Sequence, residues 1–288
     1  MHIPVLLDEV LRYLDVHPDG IYLDATAGLG GHTGAIAARL DTGFVIACDR
    51  DAESLEICRR NTTSWAPRIK YCHCSFAELR SAPASLGFTQ LNGLLADLGA
   101  SRFQLTDADR GFSFSADGPL DMRMDRSQPV TAAEIVNTTD ERQLAGLLFD
   151  YGQERRARRI ARAIVRARPI RSTLHLARVV EQAAPRTGRL HPATQTFMAL
   201  RIAVNDEQAQ LDRLLALAPE LVAPGGRIVI ISFMSLEDRK VKHCFQALAR
   251  QRRARILTKH VVKPAVEEVR SNPASRSARL RALEMSRS

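Results

Sequence analysis

The apolar positions of the first hundred residues fall into short runs separated by helical spacing. Ile21-Tyr22-Leu23 is an apolar run that stops at Asp24 and leads into a glycine-rich turn. Thr33 to Leu40 then carries the period of a helix. Phe44 to Cys48 is a second run, stopping at Asp49, and Ala52 to Arg60 is a second helical stretch. Arg68 to Cys74 and Gly93 to Ala96 supply two more strands. Strands of this length alternating with helices predict a parallel sheet covered on both faces.

After Asp97 the alternation stops. The next strand pattern is Arg227 to Ile231, entered through the turn Pro224-Gly225-Gly226. The separation is far too long for one crossover helix. The intervening chain reads as helical: Thr131 to Val136, Glu141 to Phe149, Glu154 to Ala167, Thr173 to Ala184 and Pro192 to Leu217. The pattern therefore predicts a discontinuous sheet domain, residues 1–104 with 209–288, interrupted by a helical insertion over 105–208. A helix from Asp238 to Arg250 and strands at Arg255 to Thr258 and Ala278 to Leu283 would complete the sheet.

Charge narrows the partner. A net charge of +9 over 288 residues favours a polyanion, nucleic acid before membrane. No run has the roughly 20 apolar residues of a spanning helix. Asp8, Glu9 and Arg12 interrupt the amino-terminal apolar stretch and exclude a signal peptide there. Five cysteines without framework spacing suit reduced thiols and a cytoplasmic location. Cys72-His73-Cys74 has the outline of half a metal site. No second Cys/His pair stands at zinc spacing, so the cysteines are expected in the core and no metal is expected.

The candidate chemistry sits in the turn from Asp24 to His32. A glycine-rich turn between a first strand and a helix lets a ligand approach the backbone. Gly28, Gly30 and Gly34 also satisfy a loose dinucleotide fingerprint, so Asp24 is the discriminating residue. A carboxylate at the mouth of a diphosphate site repels its ligand. S-adenosyl-L-methionine has no phosphate and carries an ammonium and a sulfonium, which a carboxylate attracts. Asp49, ending the next strand, is placed to accept hydrogen bonds from ribose hydroxyls. Helix capping would explain either aspartate singly, but both stand at the carboxyl ends of adjacent strands. Asp97 ends the fourth strand beside the same crevice, where a methyl acceptor would have to sit.

Eight arginines and no acidic residue lie between Arg155 and Arg171. On a helix, Arg155, Arg158, Arg159, Arg162 and Arg166 share one side, opposite Ala157, Ile160, Ala161 and Ile164. A solvated helix usually intersperses Glu to gain i,i+4 pairs. Leaving the charges uncompensated suits phosphates as the counterions. The tail from Arg270 to Arg287 is a second basic stretch.

Longer motifs then carry a resemblance. They are His2-Ile-Pro-Val-Leu-Leu-Asp-Glu9, Gly30-Gly31-His32, Arg110-Gly-Phe-Ser-Phe114 and Asp117-Gly-Pro-Leu-Asp-Met-Arg-Met-Asp125. Arg158 to Ile164, His191-Pro-Ala-Thr194, Ser235-Leu-Glu-Asp-Arg239 and Asn272-Pro-Ala-Ser-Arg-Ser277 follow. Over nearly its whole length the chain resembles the ribosomal RNA small subunit methyltransferase H family, which methylates the N4 amine of a cytidine in the decoding region of 16S rRNA. The resemblance implies a class I, Rossmann-like α/β methyltransferase domain with an inserted helical domain for substrate recognition. It implies 16S rRNA, within the small ribosomal subunit, as partner. It also implies a cofactor site lined by Gly30, Gly31, His32, Asp49, Phe76, Asp97 and Gln104, of which Phe76 and Gln104 rest on the resemblance alone.

The chain departs from the family at Ser101-Arg102-Phe103, where Ser-Ser-Pro is usual, and at Met234, where His is usual. It departs again at Gln195-Thr-Phe-Met198, and the stretch from Arg250 to Leu257 is shorter. These changes fall on the expected substrate side. Asp97 and Asp121 are the candidate catalytic groups, with Arg123 and Asp125 as further candidates for orienting the base. Amine methylation forms no ring adduct, so no cysteine nucleophile is required. Two other readings keep the cofactor fold: a different methyl acceptor, or a non-catalytic RNA-binding relative.

Overall fold

A computed structural model describes residues 4–186 and 191–287; His2 and Ile3 of the amino-terminal motif lie outside the described residues. In chain order the elements begin with α1 (Leu7–Leu14), β1 (Ile21–Asp24), α2 (Gly31–Ala37), β2 (Phe44–Asp49), α3 (Ala52–Asn61), β3 (Ile69–His73), α4 (Ser81–Ser85) and β4 (Leu91–Asp97). A helical stretch follows: α5 (Arg102–Thr106), α6 (Ala132–Thr138), α7 (Glu141–Asp150), α8 (Ala157–Arg166), α9 (Thr173–Ala183) and α10 (Ala193–Val204). The chain then continues through α11 (Glu207–Leu221), β5 (Val222–Ser232), α12 (Ser235–Arg250), β6 (Ala254–Ile256), α13 (Val266–Ser271) and β7 (Arg279–Met285). It divides into two compact units, Met1–Gly99 with Gln208–Ser288, and Ala100–Glu207.

The first unit is a doubly wound, Rossmann-like sheet of seven strands in the order β3-β2-β1-β4-β5-β7-β6. The strands from β1 to β5 run parallel, whereas β7 is antiparallel to both β5 and β6. Alternation along each strand splits the core into two layers. Leu23, Ile46, Cys48, Leu94, Ala96, Ile228 and Ile230 face Leu211, Leu214 and Phe245 from α11 and α12. Tyr22, Val45, Ala47, Leu95, Val229 and Ile231 face Val10, Leu14, Ile36 and Leu55 from α1, α2 and α3. Burial on both faces is why these strands read as continuous apolar runs. The strand order reverses between β1 and β4, which opens a crevice at their carboxyl ends.

Pro224-Gly225-Gly226 is not a turn before β5 but an irregularity within it. Leu91 pairs with Val222 while Gly93 pairs with Arg227, and Gly225 takes the left-handed φ of 81°. The helix α1 was not anticipated from the sequence; it buries Val10, Leu11 and Leu14.

The second unit is helical, with a core drawn from α6 to α10 and the segment around Leu120 and Met122. Its first boundary falls after Gly99, where Leu98 N–H still bonds Ile231 C=O, so Gln104 belongs to the helical unit. The expected single helix from Pro192 to Leu217 is two helices, α10 and α11. The period continues across the break, but the Asn205 side chain is committed elsewhere. Its Oδ1 accepts from Met124 N–H at 2.7 Å and its Nδ2 donates to Met122 C=O at 2.7 Å. Asp206 beside it adopts φ 48°. The expected helix from Glu154 begins only at Ala157. Gln153 has φ 53°, and the Glu154 carboxylate instead accepts from Arg156 N–H. Among the described residues no helix is long and apolar enough to cross a membrane.

Candidate active site

Four acidic side chains gather where the parallel strands of the first unit end. Asp24 closes β1 and is 1% exposed. Its Oδ2 accepts from Thr33 Oγ1 at 2.7 Å and its Oδ1 from Thr26 N–H at 3.2 Å. Burial pushes its carboxyl up to about 6 against the pull of those hydrogen bonds. Asp49 closes β2; its Oδ2 accepts from Gly28 N–H at 2.7 Å and its Oδ1 from Asp51 N–H at 2.8 Å. Burial raises it to about 6 as well, over the opposing bonds from Asp51 and Gly28.

Neither aspartate is a helix cap. The cap of α3 is Asp51, which accepts from Glu53 and Ser54 N–H, and α2 starts behind Gly30. Asp49 instead holds the glycine turn against the end of β2. The turn needs glycine at two places for different reasons. Gly28 has φ 51°, and a Cβ there would only touch the Thr26 carbonyl at an ordinary 3.8 Å, whereas at Gly30, with φ 90°, a Cβ would also meet Thr62 and Cys58 at 2.9 and 3.0 Å. Gly31 opens α2 against Pro4.

Asp97 closes β4. Its N–H donates to Thr26 Oγ1 at 2.6 Å, so one threonine ties the ends of β1 and β4 together. Its side chain is 22% exposed, yet Oδ1 is buried and has no hydrogen-bond partner. Burial pushes Asp97 up to about 8, and the nearby Asp24 and Glu237 charges add to the rise. His32 is buried beside it. Its Nε2 lies 3.0 Å from the Val5 carbonyl, which can only accept, so Nε2 carries the proton. Burial takes His32 down to about 4, against the bond to Val5, so the ring is neutral.

Glu237, in the first turn of α12, is the acidic residue that sequence reasoning did not single out. It is 4% exposed and accepts from Phe233 and Met234 N–H, both at 3.2 Å. Its signal was its place three residues into a helix that follows a strand end. Those donors are backbone groups, and the Met234 side chain meets the Glu237 N–H in return, which closes a capping box at the start of α12. Phe76 stands in a short helical turn after β3, partly buried against the core.

The group fits a cation. No lysine or arginine pairs with Asp24, Asp49 or Asp97 among the described residues, and Asp97 keeps an orphaned buried oxygen. A diphosphate would be repelled here, whereas the ammonium and sulfonium of S-adenosylmethionine supply the missing countercharge.

The remaining expected site residues belong to the helical unit. Gln104 is buried, and its Oε1 accepts from Ser101 N–H at 2.9 Å in a capping box for α5. Asp121 and Arg123 are brought together. Arg123 Nε donates to Asp121 Oδ1 at 2.6 Å and its Nη2 to Oδ2 at 3.0 Å. Burial would raise Asp121, but the Arg123 hydrogen bonds and charge outweigh it and hold the carboxyl below its usual range. Both oxygens of Asp121 therefore serve the guanidinium. Asp125 turns its Oδ1 to Ser127.

Arg155, Arg158, Arg159, Arg162 and Arg166 are all exposed, opposite a buried face of Ala157, Ile160, Ala161 and Ile164. Arg155 precedes the helix rather than lying on it. The expected lack of countercharge needs one correction: α7 packs beside α8 and brings Glu141 to Arg162 at 3.2 Å. The other four have no acidic neighbour within ion-pair distance among the described residues.

Comparison with known proteins agrees with this architecture. The profile of the MraW methylase family matches residues 1–286. The ribosomal RNA small subunit methyltransferase H of Solibacter usitatus (strain Ellin6076) is 62% identical over 99% of this chain and 100% of its own. The protein of the same name from Koribacter versatilis (strain Ellin345) is 50% identical over 98% of this chain and 93% of its own. That of Cyanothece sp. (strain PCC 7425 / ATCC 29141) is 46% identical over 98% and 93%. A match of this extent, on a doubly wound sheet with acidic strand ends, places the chain in the MraW methylase family.

Proposed function

We propose that this enzyme methylates the N4 amine of a cytidine in the decoding region of 16S rRNA, acting in the cytoplasm on the small ribosomal subunit. The observation that carries the reading is the uncompensated carboxylate group at the ends of β1, β2 and β4. The names of the relatives support the RNA acceptor. S-adenosylmethionine, when bound, supplies a methyl group on a positively charged sulfur.

The chain's own residues have three tasks. Asp49 and the glycine turn hold the adenosyl end, with Asp49 accepting from ribose hydroxyls and Phe76 beside the base. Asp97 faces the acceptor. A cytosine amine is a poor nucleophile because its lone pair is delocalised into the ring. A group that accepts its hydrogen bond as the nitrogen pyramidalises lowers the barrier. The orphaned Asp97 Oδ1 is suited to that task, and its raised affinity for a proton suits it to take the one the amine gives up. Asp121 acts as a positioning residue that holds Arg123. Arg155, Arg158, Arg159 and Arg166 meet the RNA phosphates, and the target base is unstacked before it reaches the pocket.

The test is transfer of an isotopically labelled methyl group to purified small subunits, followed by mass spectrometry of the nucleosides. Label in N4-methylcytidine from unmodified subunits, and none from subunits already bearing the mark, is expected. Label in another base, or in none while the cofactor binds, overturns the assignment.

A further inference from the structure

Three thiols meet on one face of the sheet. Cys48 lies in β2 one residue before Asp49, and its register partner in β3 is Cys72. Cys74 N–H bonds Asp49 C=O and continues the ladder by one residue, so Cys74 shares the face of Cys72. The three sulfurs all lie within 4.8 Å of one another, with Cys48 and Cys74 buried and Cys72 partly exposed. The sequence pattern offers only Cys72-His73-Cys74 and the expectation of core cysteines; Cys48 joins Cys72 and Cys74 through strand pairing, and Cys72 is partly exposed rather than in the core.

We propose that Cys48, Cys72 and Cys74 form a binding site for a soft, thiophilic metal ion. Three sulfurs bonded to one ion at about 2.3 Å stand roughly 4 Å apart in a plane, so side-chain rotations closing the cluster by less than ~1 Å complete it. Thiolates select Cu+ or Zn2+ over Mg2+ and Ca2+. No fourth protein ligand joins the cluster among the described residues. His73 points to the opposite face, where its Nε2 meets the Arg50 carbonyl at 3.0 Å. A three-sulfur set suits Cu+ directly, while Zn2+ takes a water as its fourth ligand. Cys72, at the solvent side, is the point of entry. Binding releases the thiol protons and ties β2 to β3 immediately before Asp49 and two residues before Phe76. The site is independent of the methyl-transfer reading.

The experiment uses the full chain, reduced under anaerobic conditions and titrated separately with Cu+ and Zn2+. Metal retained after desalting against a weak chelator is measured by elemental mass spectrometry. About one equivalent of either ion is expected in the wild type and in Cys244→Ser, with at least a roughly ten-fold loss of affinity in Cys72→Ser. In the wild type itself, loading protects the partly exposed Cys72 from alkylation, mapped by peptide mass spectrometry, which needs no variant to fold. Failure to retain either ion, retention unchanged by Cys72→Ser, or alkylation of Cys72 unaffected by metal overturns the proposal.

Discussion

His32 Nδ1 stands 3.8 Å from Asp97 Oδ2, while the other nitrogen of the same ring is committed to the Val5 carbonyl. The tautomer is thereby set: a bare nitrogen faces the carboxyl at a distance beyond direct hydrogen bonding. His32 neither neutralises Asp97 nor donates to it. The carboxyl is left to hold its own proton until a cation arrives, and the predictions for the site follow from that.

Asp97→Asn keeps the shape and removes the charge. Loss of a charge-assisted contact in a partly buried site weakens S-adenosylmethionine by about 2 kcal/mol, roughly thirty-fold, as read by calorimetry. The ligand-free variant gains stability in a pH-dependent way. The folded carboxyl sits near 8, above its unfolded value near 4. The stability Asp97 contributes is therefore complete below the unfolded value and is lost as pH rises towards about 8. The difference in Tm, variant minus wild type, is larger at pH 8.5 than at pH 5. An equal difference at both contradicts the burial of this carboxyl.

Cofactor binding is coupled to proton release. A cation prefers the ionised form of Asp97, so affinity rises with pH up to about 8 and then levels off. Calorimetry in buffers of different ionisation enthalpy is expected to count somewhat under one proton released at neutral pH. A pH-independent affinity with no proton exchange contradicts it.

The arginine helix divides into paired and unpaired members. Arg158→Glu with Arg159→Glu is expected to weaken RNA binding by at least about ten-fold and to flatten its salt dependence, leaving cofactor affinity unchanged. Arg162→Ala costs less, because Glu141 already neutralises Arg162. Filter binding over a series of salt concentrations distinguishes these outcomes, and equal effects of all three positions would count against the phosphate reading.

Asn205→Ala breaks the helical unit from within. It strands Met124 N–H and frees Met122 C=O, each a buried backbone group. A loss of about 2–4 kcal/mol in urea unfolding is expected, from two unsatisfied groups at roughly 1–2 kcal/mol each. A loss under about 1 kcal/mol means the 120s segment is held by other contacts.

What could be read in the chain beforehand was what local pattern encodes. The runs ending at Asp24, Asp49 and Asp97 are strands buried on both faces, so their length and their terminal carboxylates were visible without a fold. The break at Asn205 was not, because helical spacing runs through it and the side chain that ends the helix bonds residues some eighty positions away. Glu237 carries a local capping signal, but its nearness to Asp97, like the meeting of Cys48 with Cys72, comes from the packing of strands distant in sequence. The acidic partner of Arg162 comes from a neighbouring helix, which charge counting along α8 alone could not reveal.

The most direct measurement is a side-by-side calorimetric titration of the ligand-free chain with S-adenosylmethionine and with a nicotinamide dinucleotide. Carboxylates that lack a countercharge predict saturable binding of the first and none of the second. Tighter binding of the dinucleotide diphosphate would contradict the reading of this site as one built for a cation.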